Sequence, residues 1–279
     1  MTSKIARRRG LRRGVLIATM ALTGLAVAGG SSALATPTGE WAVFAQCPLS
    51  NASLSGCIAA STTSGEFTVG AKTVPIKHTI TLQGGFIENE ETGALSFVGA
   101  ANGETLSKTA QTVPGGLIGI AGLGGEVTAT TELALPASSI GLNEANLLGE
   151  TGVALELPVR VKLGNPFLGG SCYVGSKSHP IFIKLTTGTT SPPKPNKAIK
   201  GAIGELSITG EGSILNIAKN SLVDNAFAVS TGAEGCGLIP FLTDPLVNLV
   251  MGVPSAAGHN TAILNGALHQ SGAAVVREH

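Results

Sequence analysis

The stretch VALELPVRVKL, residues 153–163, constrains the fold more than any other. Val153, Leu155, Leu157, Val159, Val161 and Leu163 recur at every second position, and Ala154, Glu156, Pro158, Arg160 and Lys162 fall between them. A period of two puts the apolar set on one face of an extended strand and the polar set on the other. A helix would scatter both sets around its circumference. Pro158 has no N–H to give to a ladder, so the spacing predicts an edge strand or a bulge at this point.

Weaker copies of the pattern run along the rest of the chain. IKHTITL aligns Ile76, His78, Ile80 and Leu82, and EVTATTELAL aligns Val127, Ala129, Thr131, Leu133 and Leu135. FTV near Val69, SFV near Val98, IFIKL near Ile183, ELSI near Ile208, FAV near Val229 and TAILNGAL near the C-terminus extend the series. Glycine, asparagine and serine mark the turns between them, and TTGTTSPPKPNK (186–197) reads as an exposed loop. Helical signals are confined to NEANLLGE (143–150) and GLIPFLTDPLVNLVMGVP (237–254). The second is broken by Pro240, Asp244 and Pro245 and reads as a short buried helix or hairpin. Strands do not alternate with long amphipathic helices, which argues against a doubly wound α/β fold. The expectation is an all-β, mainly antiparallel fold, a β-sandwich or β-barrel-like architecture with one or two short helices.

The first 35 residues carry a different message. Lys4, Arg7, Arg8, Arg9, Arg12 and Arg13 precede an apolar run from Val15 to Ala28, and Ala33-Leu34-Ala35 supplies small residues before Thr36. This is the three-part form of a secretory signal peptide spanning 1–35. Fourteen residues make a helix of only about 21 Å, short of the roughly 30 Å hydrocarbon core, so no retained transmembrane anchor is expected. The arginine pairs leave Sec and twin-arginine export both open. Residues 36–279 then form the mature chain, expected as a single β domain with a sub-boundary, if any, near 141–152. The full chain has 18 basic and 17 acidic residues. Without the six basic residues of the leader the balance is 12 against 17, or −5. A net negative chain lacking a basic cluster has no electrostatic drive toward phosphate backbones, so nucleic acid is not an expected partner.

Four cysteines remain: Cys47, Cys57, Cys172 and Cys236. An even number in an exported chain favours disulfides, and three pairings are possible. Cys47 and Cys57 bracket the short loop CPLSNASLSGC and can meet locally, which favours Cys47–Cys57 and Cys172–Cys236. A metal site needs tight Cys pairs or histidines at helical spacing, and a redox site prefers Cys-x-x-Cys. Neither pattern occurs. Closing the 11-residue and 65-residue loops is worth roughly 2.8 and 4.3 kcal/mol in the chain-entropy model, before native strain subtracts. The short loop is also expected to present its segment from Leu49 to Leu54 to a partner.

Catalytic apparatus is sparse. The mature chain has two aspartates, Asp224 and Asp244, and five histidines, and neither G-x-S-x-G nor H-E-x-x-H occurs. His78 falls on an apolar strand face and is expected to be partly buried and bonded to backbone. His179 and His259 lie beside turn residues and read as solvated. A secreted hydrolase would require one of these three beside a serine hydroxyl and a carboxylate. GLIGIAGLGGEV (116–127) fails the dinucleotide fingerprint, because Val127 stands where the third glycine belongs, and reads as a glycine-rich hairpin. ENEE (88–91) lacks the spaced oxygens of a calcium loop and reads as a solvated acidic turn. One Trp and one Tyr, Trp41 and Tyr173, are too few for a conventional sugar-stacking groove. Trp41 is expected to pack against the Cys47–Cys57 staple. No cofactor is expected.

The phrases FAQCPLSNASLSGCIAASTTSGEFTVG, TVPI…TLQGG, LGNPFLGGSCYVGS, LTTGTTSPP and GCGLIPFL together resemble an uncharacterised family of exported actinobacterial proteins. The resemblance covers most of the mature chain. It implies secretion, four structural cysteines and an actinobacterial source, and it brings no activity. The combined expectation is an exported non-enzymatic β protein, secreted or associated with the cell envelope, with a structural or interaction role. The alternative is a binding module for a lipid or other apolar envelope ligand, for which a continuous aliphatic-lined cavity would be the mark.

Overall fold

Antiparallel pairing organises the chain, in a computed structural model that describes residues 36–116 and 125–279. Residues 1–35, expected from the sequence as a signal peptide, and residues 117–124 of the glycine-rich segment lie outside the described residues. In chain order the strands are β1 (Gly56–Val69), β2 (Lys72–Pro75), β3 (Ile80–Glu88), β4 (Leu95–Gly99) and β5 (Ala110–Thr112). There follow β6 (Thr128–Leu133), β7 (Gly141–Leu142), β8 (Leu155–Gly164), β9 (Tyr173–Val174) and β10 (Ile181–Leu185). The series ends with β11 (Glu205–Thr209), β12 (Ile214–Asp224), β13 (Ala233–Glu234) and β14 (Thr261–Gly272). The α-helices are short: α1 (Glu144–Gly149), α2 (Pro240–Met251) and α3 (Ala273–Val276).

Two sheets form a sandwich-like fold. The first runs β11-β12-β14-β1-β3-β4, with β2 on the far half of β1. The second runs β13-β9-β8-β6-β5, with β7 and β10 also paired to β8. The 141–152 segment does not divide the chain, because β7 pairs Gly141 with Glu156 and Leu142 with Leu155 in the second sheet. On β1, Ile58 points between the sheets while Cys57 and Ala59 point to the outer face. There Trp41, Phe44, Leu49, Leu54 and the C-terminal Val276 form a second, smaller core around the Cys47–Cys57 bridge. Trp41 therefore packs at its staple, and its ring also stacks on His279 at 4.3 Å. Leu49 and Leu54 belong to this core and are buried. Between them Ser50, Ala52 and Ser53 are exposed.

β8 carries the predicted alternation, with Leu155, Leu157, Val159 and Leu163 buried. It is not an edge strand. It lies between β6 and β7 on one side and β9 and β10 on the other. The sheet tolerates Pro158 because β6 ends at Leu133, one rung away, and the Pro158 carbonyl accepts the Ala134 N–H at 2.9 Å. N–H and C=O of an antiparallel residue point the same way, so the missing donor of Pro158 faces the strand end and not β10.

The middle of the first sheet holds an arrangement that no simple period describes. Both neighbours of β14 bulge at the same rung, β1 between Thr62 and Ser64 and β12 between Ala218 and Asn220. Both bulges flank Gly266, where a Cβ would lie 1.7 Å from the Ser61 carbonyl oxygen. Lys219, in the β12 bulge, takes φ +56°, the left-handed region that costs a side-chain-bearing residue. FAV near Val229 forms no strand; Val229 makes a lone bridge to Ser255. The 186–197 loop is exposed from Thr189 except where it turns back, but Thr186, Thr187 and Gly188 are buried. Thr187 Oγ1 donates to the Leu147 carbonyl at 2.8 Å, which pulls the start of the loop under α1.

Candidate functional site

α2 is built with its polarity inverted. Pro240 opens it, where a missing N–H costs nothing, and Gly252 at φ +67° closes it. Its polar side chains face the body. Asp244 accepts the N–H groups of Gly235 and Cys236 at 3.2 and 2.8 Å, and Asn248 accepts that of Ala233. Val247 and Met251 complete the same inward face. The opposite face carries only apolar groups: Leu238 is 100% exposed, Phe241 77% and Leu249 79%, with Leu242 and Leu246 between them. Within the helix Leu242, Leu246 and Leu249 follow one another at helical spacing and make a single stripe, and the exposed Leu238 precedes its first turn. Across 237–254 the sole ionisable side chain is Asp244, and it is turned inward.

The sequence expectation of a buried helix is thus half right. The segment is helical, but Asp244 and Asn248 claim the inward face because they satisfy the orphaned N–H groups of the 233–236 turn, and the leucines are left outside. That turn is fixed by the Cys172–Cys236 bridge, whose Cα atoms are 4.2 Å apart. Beside it Gly237 N donates to the Leu168 carbonyl at 2.7 Å, which sets the exposed Phe167 next to the start of the helix. The other predicted pair, Cys47–Cys57, also forms, with Cα atoms 5.5 Å apart.

Behind α2, between the sheets, packing leaves three small cavities of about 40, 50 and 30 Å³. Their walls are mostly apolar, aliphatic side chains with Phe67, Phe97 and Phe227 among them. The first lies against Val69, Val161 and Met251, the second against Ile80, Leu157 and Leu264, the third against Ile58, Leu147 and Ala154. Beyond Ile58 the inner face of the first sheet ends in an open cleft of about 330 Å³, lined by Phe86, Glu88, Glu144 and Gln270 among others. Glu144 enters from α1, which Asn143 caps by accepting the Asn146 N–H at 2.9 Å. Its carboxylate accepts from Gln270 Nε2 at 2.5 Å.

Burial raises the Glu144 carboxyl above its ordinary 4.5; the Gln270 bond works against the rise, and the charge of Glu88 adds to it. A carboxyl raised by folding contributes stability that is full below about 4.5 and is lost as pH climbs through the raised value. Glu144→Gln cannot ionise and is expected to gain on the native protein between pH 4 and pH 7. Urea unfolding at the two pH values checks this: an unchanged difference between the two proteins would contradict it.

The histidines do not assemble a triad. His78 is exposed, contrary to its place in the alternation, because β3 begins only at Ile80 and residues 76–79 form a bend. Its backbone is held by buried Gln111, whose side chain accepts from Lys77 N and His78 N and donates to the His78 carbonyl. His179 and His259 are exposed, and His179 Nδ1 lies 3.2 Å from Ser178 Oγ. The aspartates are engaged with backbone: Asp224 accepts from Lys184 N and Ala226 N, and Asp244 accepts from the 235–236 turn. The acidic turn ENEE is exposed, and Asn89 Oδ1 accepts the N–H groups of Glu91 and Thr92. Strands β5 and β6 do pair across the glycine-rich segment, Thr112 with Thr128, although its central residues lie outside the described ones.

Compared with protein-family models, with curated proteins and with solved structures, the chain matches none.

Proposed function

We propose that this is an exported, non-enzymatic protein with an interaction role at the cell surface, and that the outer face of α2 engages an apolar component of the envelope. The observation that carries the reading is the inverted helix: a run of leucines and a phenylalanine held in solvent while its polar groups are turned inward. A soluble protein gains nothing by exposing such a stripe, and contiguous apolar patches of this kind mark contact surfaces. The support beneath the helix is stiff, since a disulfide, an aspartate and an asparagine fix the preceding turn. Two disulfides and no free cysteine among the described residues accord with an oxidising exterior.

Burying a leucine side chain is worth about 1.5–3 kcal/mol. Placing charges at two positions of the stripe, Leu242→Glu with Leu249→Glu, should therefore cut retention on producing-cell envelopes at least tenfold. Co-sedimentation of the purified protein with wall and membrane fractions measures it, and circular dichroism should show the fold unchanged. Equal retention of the two proteins would end the proposal.

A further inference from the structure

We propose that the space between the two sheets is a binding site for one unbranched alkyl chain, entered at the Glu144–Gln270 end and suited to a ligand whose head donates hydrogen bonds and carries no negative charge. The site is separate from the outer face of α2 and does not depend on it.

The order of the cavities makes the case. Along β1 the open cleft touches Gly56, the third cavity Ile58 and Ala60, the second Ala60 and Phe67, and the first Phe67 and Val69. The same order holds on the opposite sheet, where the third cavity meets Ala154 and Leu155, the second Leu155 to Val159, and the first Val159 to Leu163. The three inner cavities share lining side chains, Thr131 and Ile183 between the first and second, Thr62 and Leu222 between the second and third. The open cleft shares none with the third and is set off from it along β1 by the step from Gly56 to Ile58. A series of gaps thus follows β8 from Ala154 to Leu163, roughly 30 Å at ~3.3 Å per residue. An alkyl chain that fills one leaflet of a bilayer is about 15 Å long, so the series is long enough to take one.

Apolar cavities stay dry and accept apolar guests. These walls are mostly apolar, although Lys72 and Gln111 also line the first and Ser61 and Asn220 the third. Each gap by itself is too small for a drug-sized ligand. A chain one methylene wide fits where a bulky ring would not, and it requires only that the intervening side chains give way. The wide end differs in chemistry. Glu88 and Glu144 supply acceptors in the open cleft, Gln270 sits beside them, and their charge repels an anionic head. Beyond the other end Lys72 is occupied, its Nζ donating to the Gly116 carbonyl at 2.9 Å.

The probes are 1-monolauroylglycerol and laurate, which share one chain length and differ in the head. Native mass spectrometry and titration calorimetry at pH 7 should give one bound monolauroylglycerol per protein, with laurate at least tenfold weaker. Ala60→Leu narrows the passage where the second and third cavities meet and should weaken binding at least tenfold. Thr131→Leu, placed deeper, provides a second obstruction if the first variant does not fold, and should also weaken binding. The charged α2 variant should bind the glycerol ester within twofold of the native protein, so a failure of the surface reading and a failure of this one are told apart. Absence of a one-to-one complex, laurate binding as tightly as the ester, or folded obstructed variants that bind normally would each overturn the proposal.

Discussion

Asn260→Ala is expected to lower the free energy of unfolding by about 3–5 kcal/mol, the cost of leaving several buried hydrogen-bonding groups unpaired. The side chain is fully buried, and every one of its polar atoms is in use. Its Oδ1 accepts from Gly70 N at 2.9 Å and from Ser255 Oγ at 2.5 Å. Its Nδ2 donates to the carbonyls of Phe227 and Ala256 at 3.0 and 3.1 Å. One amide therefore joins the β1–β2 turn, the segment after β12 and the approach to β14. Alanine fills none of these roles and leaves a gap too. Each stranded group costs about 1–3 kcal/mol, and only some can be rescued by entering water. Against a typical total of about 5–15 kcal/mol, the loss is a large fraction. Urea unfolding, read as the shift in midpoint at constant slope, measures it. A loss below 1 kcal/mol would show that the amide is a spectator. The same node supports the far end of α2, since Ala71 N donates to the Met251 carbonyl next to Gly70.

Nothing around Asn260 in the sequence announces this. GHNTA reads as a turn, and an asparagine in a turn is ordinarily solvated. Its burial is a property of three chain segments that meet only after folding. The strands show the same division. β8 was legible because six apolar residues keep one period without a fault. β12, which lies inside the first sheet between β11 and β14, has no comparable signal. The bulge at Lys219 shifts the face in mid-strand, so Ile217 and Leu222 both reach the core although they differ in parity. The middle of β1 reads Ser61-Thr62-Thr63-Ser64, which resembles a loop, because the strand bulges there beside Gly266. In α2 the helix itself was foreseeable and its orientation was not. Apolar composition argued for burial, while two polar residues at Asp244 and Asn248 outweighed it by meeting backbone donors. The series of cavities is less visible still, since alternation tells which side chains face inward and not how well they fill the space.

The two disulfides were legible as a pair of staples, and their difference in loop length predicts an unequal cost of removal. Cys172→Ala with Cys236→Ala releases a 65-residue loop, for which the chain-entropy model gives roughly 4.3 kcal/mol, against roughly 2.8 for the loop closed by Cys47–Cys57. Both bridges sit among buried residues, Cys172, Cys236 and Cys57 being wholly inaccessible, so lost packing affects both sides of the comparison. What separates them is how much chain each one restrains. The longer loop contains β9, β10, β11, β12 and β13, elements of both sheets, and its bridge fixes the turn from which α2 is hung. The shorter one closes only the segment that leads into β1. Parallel urea titrations of the two double variants should place the Cys172–Cys236 loss about 1–2 kcal/mol above the other. The reverse order would mean that the unfolded chain already holds residues 172–236 together, or that the small core around Trp41 depends on its bridge more than loop closure allows. Limited proteolysis of the same variants distinguishes those two causes: early cleavage after Phe241 or Leu242 follows from a freed α2, and early cleavage near Phe44 follows from a loosened N-terminal core.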